Sequence, residues 1–200
     1  MKKILITPSV RTFKKKNLIF NLEKNWFDYS KKLNFVIEII DYNNFKKKIK
    51  NADGIIFSGG NGNDLYRYKK TYKNKFREYN EKKILSFVKK KKKIPKLFVC
   101  YGFQLLASSL ASRLAKSNLH VKRTQSITYQ HNKMKVNSYH TIIIKTMPKS
   151  YSSCLYQKDS SIEIAEEKKN KILCLMFHPE RFNCSQTLID KKIKNFFNLK

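Results

Sequence analysis

Cys100 stands where an apolar strand pattern ending at Val99 runs straight into a helix pattern opened by Gly102 and continued by Leu105, Leu106 and Ala107. No residues remain between the two patterns for a loop, so the join is a sharp strand-to-helix elbow. An elbow lifts a thiol above the sheet edge and aims the first helical amides at any anion beside it, the surroundings of a cysteine nucleophile. A second apolar strand, Lys171 to Phe177, ends in His178-Pro179-Glu180. Residues i and i+2 of an extended segment face the same way, and Pro179 fixes φ between them, so Glu180 can orient and charge-stabilise the His178 imidazole. The chemistry this spacing offers is nucleophilic attack by Cys100, proton transfer by His178, and control of the ring's tautomer by Glu180. Taken singly, each piece has a plainer reading: Cys100 as a buried small hydrophobe, and His-Pro-Glu as an exposed turn.

The elements needed to position these residues are present. Lys2 to Thr7 reads as a buried first strand. Asn17 to Lys32, with Leu18, Ile19, Leu22, Trp26 and Tyr29 at helical spacing, predicts a helix, and Phe35 to Ile40 a strand. A helix over 73–91 leads back to the nucleophile strand, several short strands are expected across 120–144 near the pocket, and Leu188 to Phe197 predicts a closing helix with Ile189, Ile193, Phe196 and Phe197 facing inward. Alternating strands and helices argue for βαβ units and a mainly parallel sheet, and 200 residues with a hydrophobic fraction of 41% suffice for one domain over 1–200.

Several motifs together resemble the class I glutamine amidotransferase-like family, particularly its γ-glutamyl hydrolase branch and the hydrolases of surface-polysaccharide gene clusters. Cys100, Gly102 and Gln104 match its Gly-x-Cys-x-Gly-x-Gln pattern, His178 to Glu180 its His-Pro-Glu, Ile55 to Gly60 its glycine-rich loop, and Val136 to His140 and Ser161 to Glu163 two further segments. The resemblance implies a doubly wound, flavodoxin-like α/β fold and thioester chemistry on a γ-glutamyl carbonyl that releases glutamate. It implies Cys100, His178 and Glu180 as the catalytic residues and an oxyanion hole from the Gly60 and Tyr101 amides. Gly59, Gln104, Ser138, Tyr139 and His140 are implied as the substrate-binding set. Departures are Phe98 where the family has the elbow's first glycine, Cys174 for a glycine in the last strand, and an extra Asn-Gly before Asn63-Asp64. The leaving group is expected to meet Asn61 to Arg77 and Arg123, while Arg11 is a contact for an anionic leaving group or a partner for a surface carboxylate.

A net charge of +30 would ordinarily suggest a nucleic-acid partner, but only six of the 44 basic residues are arginine, the residue that reads bases and clamps phosphates. The lysines fall in runs such as Lys46 to Lys48 that suit solvated helix faces, so no specific nucleic-acid partner is expected, although a positive rim would concentrate an anionic substrate. The opening apolar run is too short for a signal peptide or a membrane span. Four cysteines without a Cys-x-x-Cys spacing suit a reducing cytoplasm, with Cys174 in the core and Cys154 and Cys184 in loop-like sequence. His120, His131 and His140 lack the clustering of a metal site, and the chemistry calls for no metal or cofactor. Three functions remain open: a stand-alone γ-glutamyl hydrolase, a glutaminase subunit feeding ammonia to a synthetase partner, and a catalytically dead binding module.

Overall fold

The computed structural model describes residues 1–13, 17–60, 71–89 and 91–200. Its centre is a seven-stranded sheet. Five strands are parallel: β1 (Lys2–Ile6), β4 (Phe35–Ile39), β5 (Gly54–Phe57), β6 (Lys96–Val99) and β13 (Ile172–Leu175). Two antiparallel strands, β12 (Ser161–Glu167) and β11 (Ser152–Tyr156), extend the β13 edge, giving the order β11-β12-β13-β6-β5-β1-β4. The expected doubly wound, mainly parallel fold is therefore observed.

Strand alternation divides the core in two. Ile4, Ile6, Ile56, Leu97, Val99, Leu173 and Leu175 face α1 (Lys24–Leu33) and α5 (Gln186–Phe197) through Trp26, Tyr29, Leu33, Ile189, Ile193 and Phe197. Leu5, Ile55, Phe57, Phe98 and Cys174 face α2 (Phe45–Lys50), α3 (Tyr72–Lys89) and α4 (Tyr101–Ser109). Burial on both faces explains why these strands read as unbroken apolar runs. Lys96 is the exception within β6: its ammonium donates to the Lys91, Ile94 and Asn170 carbonyls at 2.8–2.9 Å, and burial pulls its pKa down to about 8.

Among the described residues, three small antiparallel pairs stand outside the sheet: β2 (Ser9–Phe13) with β3 (Asn17–Asn21), β7 (Leu114–Lys116) with β10 (Ile142–Ile144), and β8 (Arg123–Tyr129) with β9 (Asn132–Ser138). The first corrects the sequence expectation, because Asn17–Asn21 is a strand and the helix begins only at Lys24. Trp26, Tyr29 and Leu33 do form a helical stripe, but the preceding Leu-Ile-Phe run pairs with Val10 to Thr12 instead of continuing it. Cys154 likewise lies in β11 and not in a loop, buried with its thiol donating to the Thr128 carbonyl. Phe98 stacks on Phe57 with centroids 4.5 Å apart, so its bulk fills the α3–α4 side of the sheet, whereas Cys100 belongs to the opposite cluster. Among the described residues, no helix is long and apolar enough to cross a membrane.

Candidate active site

Cys100 follows β6 directly and is the N-cap of α4, as the elbow requires. Its φ of 48° and ψ of −102° lie where a non-glycine residue is strained, and two backbone bonds hold it there: its N–H donates to the Leu175 carbonyl at 2.8 Å, and its carbonyl accepts from Gln104 at 3.0 Å. Gly102 lets the helix start this close to the sheet, since a Cβ there would come within 2.3 Å of the Phe57 carbonyl oxygen. The Tyr101 amide opens the helix, where no intrahelical acceptor exists.

His178 follows β13 beside this elbow. Its Nδ1 lies 2.7 Å from Glu180 Oε1, and both side chains are almost wholly buried. Burial works against a charged ring, but the Glu180 carboxylate and the Cys100 sulfur outweigh it and push the His178 pKa up to about 10. The backbone at His178 is clamped from outside the motif: its N–H donates to Asn137 Oδ1 at 2.9 Å, and its carbonyl accepts from Asn137 Nδ2 at 2.8 Å and Asn183 Nδ2 at 3.0 Å. Asn183 Oδ1 in turn accepts from the Asn137 amide at 2.8 Å.

The glycine-rich loop closes the other side. A Cβ on Gly59 would lie 2.4 Å from His178 Cε1, so only glycine admits the ring. Arg77, fully buried on α3, donates to three successive carbonyls: Ser58 at 2.9 Å, Gly59 at 3.0 Å and Gly60 at 2.7 Å. A trans peptide points its C=O and the following N–H in opposite directions, so a guanidinium that holds the Gly59 oxygen also turns the Gly60 N–H away from itself. Burial opposes the Arg77 charge; Glu81, 2.7 Å away with its side chain equally buried, restores it. The guanidinium also lies 4.3 Å from the Tyr101 ring centroid, linking the loop to the elbow. Arg77 thus belongs to the loop's support and not to an exposed leaving-group surface; residues 61–70, including Asn63-Asp64 and the Asn-Gly before them, lie outside the described residues.

The remaining expected site residues divide. Tyr139, exposed, is edge-on to His178 at 6.1 Å and is covered by Arg181 at 4.8 Å. Arg181 is itself held by Glu23 at 2.6 Å. Gln104 is buried beneath the elbow, its Nε2 donating to the Ile142 carbonyl at 3.2 Å and its Oε1 unpartnered. The Ser138 hydroxyl is turned inward to the His120 carbonyl at 2.7 Å. His140 is buried with Nδ1 3.0 Å from the Ile142 carbonyl, and burial lowers its pKa to about 3. Its ring is 4.7 Å from that of His120, correcting the expectation that these histidines do not cluster. Arg123 is exposed at the start of β8, and Arg11 is exposed on β2.

Asn137, Asn183, Arg77 and Glu81 are the supporting residues that the motifs alone did not single out in these roles. For the ion pair a signal existed: positions 77 and 81 continue the stripe of Ile84, Leu85 and Val88, which is the buried face of α3.

A cysteine at a strained elbow, beside a carboxylate-held imidazole at the carboxyl ends of a parallel sheet, is the arrangement of an activated nucleophile in an α/β fold. The chain belongs to the class I glutamine amidotransferase family, whose model matches residues 18–197. It is 29% identical over 160 residues to the gamma-glutamyl-CDP-amidate hydrolase of Campylobacter jejuni, covering 80% of this chain and 76% of that one. It is 25% identical to a glutamine-hydrolysing GMP synthase of Acetivibrio thermocellus over 74% of this chain but only 28% of that longer protein. In fold it is similar to a glutamine amidotransferase from Thermotoga maritima, with a TM-score of 0.61 and 15% identity over 98% of this chain and 82% of that one.

Proposed function

We propose that this protein is a cysteine-dependent γ-glutamyl amide hydrolase whose substrate is γ-glutamyl-CDP-amidate or a close nucleotide conjugate. In this reading the Cys100 sulfur attacks the γ-carbonyl while its proton resides on His178. The tetrahedral oxyanion accepts hydrogen bonds from the Gly60 and Tyr101 amides, the first aimed by Arg77 and the second by the start of α4. His178 then protonates the departing nitrogen, leaving a γ-glutamyl thioester. Water, deprotonated by the same ring, hydrolyses the thioester to glutamate and free Cys100. Glu180 keeps the imidazole oriented throughout. Gly59, Gln104, Ser138, Tyr139 and His140 are the proposed walls of the glutamyl pocket, Ser138 through its backbone and Tyr139 through its exposed ring.

The observation that carries the substrate is the similarity to the Campylobacter jejuni hydrolase, which spans most of both chains. The surplus of lysine adds an electrostatic attraction for a diphosphate leaving group. The similarity to GMP synthase favours a second reading, a glutaminase subunit that delivers ammonia to a synthetase.

Glutamate release from glutamine, a γ-glutamyl amine and γ-glutamyl-CDP-amidate, measured for wild type and Cys100→Ala, separates these readings. Cysteine-dependent release from the nucleotide conjugate in preference to glutamine is expected. Release from glutamine alone, rising when a synthetase partner is added, would replace the hydrolase with the subunit. Binding of the conjugate without release from any substrate would leave only a binding module.

A further inference from the structure

Against the proposed glutamyl pocket, and sharing His140 with it, His120, His140 and Glu163 bring one ligand-capable atom each to within 4.8 Å of one another, and all three residues are buried. The hydrogen bonds around them are arranged asymmetrically. His120 Nε2 is 2.8 Å from Asp159 Oδ2, which leaves Nδ1 directed at the cluster, 3.4 Å from Glu163 Oε1. His140 Nδ1 is held by the Ile142 carbonyl at 3.0 Å, which leaves Nε2 directed at the cluster, 4.0 Å from Glu163 Oε2. In each ring one nitrogen is fixed by an oxygen acceptor and the other turned inward, the arrangement in which protein imidazoles are held to bind metal ions. Three polar atoms here are buried without a hydrogen-bond partner: His140 Nε2, Glu163 Oε2 and Gln125 Oε1. Leaving such atoms unpaired is costly, and one ion would satisfy all three.

We propose that His120 Nδ1, His140 Nε2 and Glu163 form a structural site for a divalent transition-metal ion, with zinc the best match. Two imidazole nitrogens and a carboxylate are a zinc-type donor set, and tetrahedral ligands at about 2 Å from an ion lie about 3.3 Å apart, so side chains whose ligand atoms now lie within 4.8 Å need to close by about 1.5 Å. Gln125, whose amide nitrogen now stands 2.5 Å from His120 Nδ1, turns so that its oxygen supplies the fourth ligand. Charge also balances: the two positive charges of the ion meet the ionised Glu163 and Asp159, with both imidazoles neutral. Asp159, only partly buried, opens the cluster toward solvent. The ion would fasten β12 to the β9–β10 connection, because Ser138 and His140 both bond to the His120 carbonyl, at 2.7 and 3.2 Å.

The test uses the full chain in a Cys100→Ala, Cys184→Ser background, so that neither the elbow thiol nor the exposed one binds metal. After treatment with chelator and desalting, zinc titration by calorimetry is expected to show one equivalent bound, with affinity at least tenfold weaker in His140→Ala and in Glu163→Gln. Cobalt binding to the unsubstituted cluster is expected to give the intense visible bands of tetrahedral coordination, and X-ray absorption to show two imidazole ligands. These two readings stand even if the substituted chains fail to fold. No stoichiometric binding, equal binding by the variants, or a spectrum with only oxygen ligands would overturn the proposal and leave the cluster a hydrogen-bonded network.

Discussion

Two histidine centres lie at the same end of the sheet, and they are built in opposite ways. At His178 the ring is satisfied from both sides: Glu180 holds Nδ1 at 2.7 Å, and the Cys100 sulfur helps to keep the ring protonated. At His120 and His140 the outer nitrogens are held by Asp159 and by the Ile142 carbonyl, the Gln125 amide reaches only His120 Nδ1, and His140 Nε2 and Glu163 Oε2 are left buried and unpaired between them. In the proposed mechanism the first centre has a proton to move and a carboxylate to steady it. The second is a pair of rigidly oriented lone pairs facing a carboxylate. Under the two proposals, identical side chains serve different chemistry according to which ring nitrogen the scaffold occupies.

The contrast is broken most severely at the elbow. Cys100→Ala is expected to lower γ-glutamyl hydrolysis by roughly ten-thousand-fold or more while the circular dichroism spectrum stays unchanged, because the methyl side chain still fits the elbow. Next in size is the support beneath the glycine loop. Arg77→Ala leaves Glu81 charged or unpaired in the core and should cost about 3 kcal/mol of stability by urea unfolding. Arg77→Lys keeps the charge but cannot reach three carbonyls, so it should lose kcat more than KM if the loop's amides act on the transition state.

Smaller again is the clamp at His178. Asn137→Ala removes both side-chain bonds to that residue's backbone and is expected to lower kcat/KM about tenfold, with little change in the His120–His140 pair. Least in magnitude, but sharpest in meaning, is the pH profile. Since the folded-state pKa of His178 lies above the ordinary 6.5, the protonated ring stabilises the fold fully below about pH 6.5, and that contribution is lost as pH rises through about 10. Glu180→Gln should therefore move the alkaline loss of stability and of kcat/KM to lower pH.

The elbow and the histidine–glutamate pair were legible in the sequence because each is fixed by its immediate neighbours. The elbow follows from a strand and a helix with nothing between them, and the His178–Glu180 pair from two-residue spacing across a proline. The central strands were legible for the same reason, as apolar runs buried on both faces. Where the reading failed, contacts distant along the chain decide the outcome. Leu18 and Ile19 fit a helical stripe until β2 offers them a strand partner, and Cys154 reads as loop until β12 pairs with it. The Arg77 side chain meets its carbonyls only after α3 packs beside the loop, and the His120–His140–Glu163 cluster needs three separate segments to converge.

The most direct test of the central claim is to quench the enzyme with acid during turnover of a γ-glutamyl substrate and to map the adduct by peptide mass spectrometry. The account predicts a γ-glutamyl thioester on the peptide carrying Cys100, absent from Cys100→Ala. Turnover with no adduct on that peptide, or with activity and adduct persisting in Cys100→Ala, would contradict it.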